Sequence, residues 1–145
     1  MEKRIGFKVE GLKLVGTLCG YLTALLVGEN DVKSLILRAP AIYKDEIFRE
    51  KIEKVYESRF MSKDKYKESR PIKAIAQFKG SLLIIQSEND EVIPEEVINA
   101  YFDNAILAKK KKLYIFKGAT HRITSPRLRQ KLYNITCRWF KETLI

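Results

Sequence analysis

Little in this chain could build a metal knuckle or a disulfide framework. Its 145 residues contain two cysteines, Cys19 and Cys137, and a single histidine. The cysteines lie too far apart for a CxxC metal or redox motif, and a disulfide scaffold needs more of them, so a reduced, cytoplasmic setting is expected. Long apolar runs are also missing. The stretch from Leu14 to Gly28 is nearly uncharged and follows a basic start, which imitates a signal peptide. Glu2 and Glu10 interrupt that basic region, however, and no small-residue cleavage site follows. The stretch also falls short of the roughly 20 residues that cross a bilayer, so no membrane association is expected. Acidic residues are in deficit: 18 Asp and Glu against 28 Lys and Arg leave a net charge of +10. That balance favours anionic ligands or partners. No reader motif or regular aromatic interleaving accompanies it, which argues against nucleic acid as a partner. Repeats and low-complexity tracts are absent.

What is present suffices for a core. Hydrophobic residues make up 46% and aromatics 10% of the chain, which excludes disorder and predicts one globular domain over residues 1–145. Residues 1–18 alternate loosely about Glu10-Gly11, the pattern of an N-terminal β-hairpin. Tyr21 to Val27 reads as a short apolar helix stopped by Gly28-Glu29-Asn30-Asp31. Val32 to Arg38 has the β character of a buried parallel strand and ends at Ala39-Pro40. Residues 45–70 are heavily charged around a helical stripe of Ile47, Phe48, Ile52, Val55 and Tyr56, either a lid-like excursion or a surface helix packed on a sheet. A short helix after Pro71 leads into a strand at Leu82 to Gln86.

Pro94 stands at the first position of the next helix, with Glu95 and Glu96 in its first turn and Lys109 to Lys112 closing it against the helix dipole. Leu113 to Phe116 forms a further strand. Ser125 and Pro126 then start a last helix whose Leu128, Leu132, Ile135 and Trp139 share one face. Alternating strand and helix demands right-handed crossovers, hence an α/β domain: a parallel sheet flanked by helices.

Loops at the carboxyl ends of parallel strands converge on one side of the sheet, so Asp90 after one strand and His121 after the next are placed to meet. A carboxylate that accepts the Nδ1 hydrogen fixes the imidazole tautomer and frees Nε2 to take a proton from a nucleophile. The plainer alternative is that Asp90 caps the helix near Pro94 and His121 is an ordinary loop residue.

The order strand, Glu88-Asn89-Asp90-Glu91-Val92-Ile93-Pro94, helix, strand, Gly118-Ala119-Thr120-His121 resembles the C-terminal part of the α/β-hydrolase superfamily, near its small esterase and serine-peptidase-like members. Val32 to Ala41 resembles the strand after the nucleophile helix, and Gly6 to Leu18 the opening antiparallel strands. The resemblance implies that Asp90 is the triad acid and His121 the base. It also implies a reduced α/β-hydrolase-like sheet, internally shortened, with no metal or organic cofactor.

A superfamily member carries its nucleophile in G-x-S-x-G, on a sharp strand-to-helix turn. No such serine occurs here. Gly16-Thr17-Leu18-Cys19-Gly20 has the glycines but places Leu18, which has no chemistry, at the nucleophile position. Aligning Gly20-Tyr21-Leu22 with the end of the motif places Thr17 there, a hindered secondary alcohol. Cys19 is the best intrinsic nucleophile, because a thiol near a helix N-terminus loses its proton more readily. Absence of any nucleophile is the third alternative. Two functions therefore stay open: an esterase-like acyl hydrolase acting on a small acyl or ester substrate, or a non-catalytic module on the same fold. Such a module would bind an anionic ligand or form a homodimer through an exposed sheet edge.

Overall fold

A computed structural model describes residues 6–9 and 12–15 as strand backbone and residues 32–44 and 60–144 in full. Cys19, Thr17, the helix expected over Tyr21 to Val27 and the striped segment Ile47 to Tyr56 lie outside the described residues.

Strands β1 (Gly6–Val9) and β2 (Leu12–Val15) pair antiparallel, Val9 opposite Leu12. The three remaining described strands are β3 (Ser34–Arg38), β4 (Ser81–Asn89) and β5 (Lys110–Thr120). They form a parallel sheet in chain order, with Ser34 level with Ser81 and Ser81 level with Lys110. At this amino-terminal end the Ser81 amide donates to the Lys33 carbonyl at 2.9 Å, and the Lys109 amide donates to that of Gly80 at 3.0 Å. Gly80 permits the approach: a Cβ there would stand 2.5 Å from the Lys33 carbonyl oxygen and from the Phe78 ring.

Helices cover both faces, as period-two strands require. Leu82 and Ile84 of β4 point to one face, where Ile72 and Ile75 of α1 (Arg70–Ala76) and Val97, Ile98 and Tyr101 of α2 (Glu95–Asn104) meet them. Leu83 and Ile85 point to the other, against Phe116 of β5 and Trp139 of α3 (Pro126–Leu144), with Leu128, Leu132 and Ile135 packed beside them. Each such buried aliphatic side chain contributes about 1.5–3 kcal/mol by leaving water. The apolar stripe expected on the last helix is thus the stripe that seats it. Phe60, Met61 and Tyr66, the last within the short 3-10 turn Lys63–Glu68, pack on the α1/α2 face. The rings of Tyr43 and Phe60 stack at 5.5 Å.

The lysine run departs from its expected place. α2 ends at Asn104, and Lys110, Lys111 and Lys112 begin β5 instead of closing the helix. Exposed Ile106 and Leu107 extended the apolar pattern past the true helix end. Backbone pairing with Ser81 to Leu83 makes a strand of three lysines whose own β propensity is poor. One of them still reaches the helix: Lys111 Nζ donates to the Phe102 carbonyl in the last turn of α2 at 2.9 Å. Pro94 likewise sits one place earlier than expected, as the extended residue preceding α2. Among the described residues no helix is long and apolar enough to cross a membrane.

Candidate active site

The carboxyl ends of β3, β4 and β5 converge on the loop that carries His121. After β4, Asp90 turns the chain through its own side chain. Its Oδ1 accepts the amide hydrogens of Val92 at 3.0 Å and Ile93 at 2.8 Å, an Asx-type turn that leads into α2. The helix-entry role and the imidazole role, weighed as alternatives in the sequence, therefore coexist in one carboxylate. His121 Nδ1 lies 3.0 Å from Asp90 Oδ1 and 3.2 Å from Oδ2. A carboxylate facing Nδ1 accepts from it, and in the neutral imidazole that arrangement leaves the lone pair on Nε2. The Asp90 side chain is 3% exposed and that of His121 29%, so the carboxylate is sealed while the imidazole faces outward.

An irregularity in the sheet brings the two together. Ser87 pairs with Phe116 and Asn89 with Thr120, so two steps along β4 match four along β5. A bulge of this kind re-aims the side chains that follow it. Gly118 takes up the required left-handed conformation at φ 72°, and its amide donates to Glu88 Oε2 at 2.8 Å. Lys117 Nζ donates to the other oxygen of Glu88 at 2.6 Å. Glu91 Oε2 accepts the backbone amide of His121 at 3.1 Å. Both carboxyls are held below their ordinary range, that of Glu88 chiefly by the Lys117 hydrogen bond and that of Glu91 chiefly by the His121 amide.

Arg38, the last residue of β3, completes the ring of contacts. Its Nη2 donates to the carbonyl oxygen of His121, to that of Thr120 at 3.3 Å and to Ser87 Oγ at 3.4 Å. Burial lowers the pKa of the guanidinium, and the negative charge of Asp90 works against that shift. Beyond Arg38 the chain leaves the sheet at Ala39, whose φ of 43° is also left-handed.

Sequence reasoning singled out Asp90 and His121, and the structure places them in contact; it passed over Arg38, Glu88 and Glu91. A signal existed for the arginine, the one charged residue in Ser34-Leu35-Ile36-Leu37-Arg38, at the strand end where a site forms. Glu88 and Glu91 flank Asp90 but carry no local mark of their long-range contacts. Among the described residues, no serine, threonine or cysteine side chain is hydrogen-bonded to His121, and no group of three His, Cys, Asp or Glu side chains could hold a metal ion. A surface concavity lined by Asn134, Cys137, Arg138, Lys141 and Glu142 shares no residue with the pair.

Comparison with known proteins bears on the family and the fold. The model of the prolyl oligopeptidase family matches residues 20–145. An acylaminoacyl peptidase of Pyrococcus horikoshii shares the fold at a TM-score of 0.62 and 22% identity, over 86% of this chain and 22% of its own. An esterase domain from Rhodothermus marinus gives 0.64 at 11% identity, over 87% of this chain and 58% of its own. An esterase of Pyrococcus furiosus gives 0.60 at 13% identity, over 87% and 51%. The chain thus spans about a fifth of the peptidase and little more than half of each esterase structure. No curated protein matches it. The sheet and its flanking helices are those of a reduced α/β-hydrolase fold.

Proposed function

The chain belongs to the prolyl oligopeptidase family, and from that premise we propose that Asp90 and His121 are the acid and base of an acyl hydrolase. The observation that carries this reading is the 3.0 Å contact between His121 Nδ1 and a buried carboxylate already fixed by two backbone amides. Such a carboxylate costs nothing further to orient when the imidazole charges, so it stabilises imidazolium where exposed carboxylates would not.

In the proposed reaction Nε2 takes the proton of the nucleophile, for which the sequence offers Cys19 first and Thr17 second. The sulfur forms a bond to the acyl carbon of an ester. The tetrahedral adduct then expels the alcohol, which leaves with the proton from Nε2. Water adds to the thioester, passing its proton to Nε2, and the acid departs as that proton returns to sulfur. Small acyl esters suit this scheme, since the similar structures include two named as esterases and one named as an acylaminoacyl peptidase.

The test is the initial rate of hydrolysis of a short-chain aryl ester by the wild-type protein, Cys19→Ala and His121→Ala. The expected result is turnover by the wild type that drops to the buffer rate in both variants. Loss in His121→Ala alone would exclude Cys19 and require another nucleophile. A wild type indistinguishable from buffer would refute the hydrolase and favour binding of an anionic ligand, or dimerisation, on the same fold.

A further inference from the structure

The His121 loop is held by something other than its own sequence. A β-strand ends by leaving its last carbonyls without ladder partners, and here the carbonyls of Thr120 and His121 are taken by a guanidinium that arrives from β3, 82 and 83 residues away in the chain. Burying an arginine costs free energy, which a fold recovers only if the hydrogen bonds it makes are well placed. Arg38 spends its terminal nitrogen on two consecutive backbone carbonyls and the buried Ser87 hydroxyl. Its Nε is also buried, without a partner among the described residues. The arginine is therefore poorly explained as a surface ion pair.

We infer that Arg38 is a positioning residue for the proposed base: it grips the His121 backbone from β3 while Asp90 grips the imidazole from β4, so that the ring is held at both ends. This inference rests on reading Asp90 and His121 as the working pair. Its physical content is that the backbone grip limits how far the ring can slide along the carboxylate. A displacement of about 1 Å in a reacting group can cost on the order of 100-fold in rate. Lysine at position 38 would keep the positive charge near Asp90 but is one bond shorter, so it separates reach from charge.

The experiment compares wild type, Arg38→Ala and Arg38→Lys by two readouts. One is kcat and KM for a short-chain aryl ester. The other is the far-downfield proton resonance of an Nδ1–H donated to a carboxylate, unambiguous here because the chain has one histidine. The expected result is a sharp resonance in the wild type that broadens or disappears in Arg38→Lys, with kcat reduced about 100-fold and KM unchanged. Arg38→Ala should behave likewise, and millimolar guanidinium should partly restore both readouts where sodium at equal ionic strength does not. Retention of the wild-type resonance and kcat in Arg38→Lys would overturn the inference, even if Arg38→Ala failed to fold. A wild type that shows the resonance but hydrolyses no ester would refute the hydrolase reading alone, since loss or survival of the resonance in the variants still decides the role of Arg38. Absence of the resonance from the wild type would overturn the inference together with the pair.

Discussion

Two loops at the same end of the sheet are built by opposite means. The loop after β4 organises itself: Asp90 accepts the amides of Val92 and Ile93, two and three residues ahead, and the turn passes directly into α2. The loop after β5 is organised from outside, by Arg38 of β3 and by Glu88, Asp90 and Glu91 at the end of β4. The difference teaches that Asp90 is placed by local chemistry and His121 by tertiary structure. Variants that spare one kind of tie and cut the other should therefore separate folding from function.

Among variants that keep both the nucleophile and the imidazole, the largest effect is expected at Asp90→Asn. The asparagine oxygen can still accept from Val92 and Ile93, so the turn and the thermal midpoint should survive, yet the carboxylate that fixes the Nδ1–H tautomer is gone. Loss of that tautomer costs on the order of 10⁴-fold in kcat where an Asp-His pair drives acyl transfer. Ester turnover reduced this far at an unchanged midpoint would separate the two duties of Asp90; an unchanged kcat would refute its role as the acid. The effect of Arg38→Lys, about 100-fold, is smaller because the imidazole keeps its carboxylate and loses only the backbone restraint.

The smallest effect is expected at the exposed carboxylates. Glu88 and Glu91 have folded-state pKa values below the ordinary glutamate value of about 4.3. Their contribution to stability is therefore present above that value and lost as pH falls through the depressed folded values. A Glu88→Gln, Glu91→Gln double variant should melt slightly below the wild type at neutral pH, and the gap should close on acidification. A gap that stayed constant through the carboxylate range would show that the side chains act by shape and not by charge.

The same contrast explains what the sequence discloses. The strand and helix order, the apolar face of α3 and the seven residues Glu88 to Pro94 are read from local pattern, because period, turn chemistry and capping act over a few residues. The Arg38 contacts are not legible in this way, since its partners lie 49, 82 and 83 residues downstream. Nor is the β5 bulge, which depends on pairing with β4. The lysine run was misplaced for a related reason: exposed Ile106 and Leu107 prolong the helical pattern, and only the neighbouring strand reveals that Lys110 already belongs to the sheet. The nucleophile stands apart. Cys19 and Thr17 fall outside the described residues, and the chemistry assigned to them rests on their place in the sequence.

The central claim is that Asp90 fixes the His121 ring with its proton on Nδ1 and its lone pair on Nε2. Nitrogen-15 labelling of histidine tests it most directly, because the only ring signals in the spectrum belong to His121. In mildly alkaline buffer the wild type should show a protonated Nδ1 and a bare Nε2, and Asp90→Asn should lose that preference. A wild-type ring protonated on Nε2, or exchanging freely between the two forms, would contradict the account.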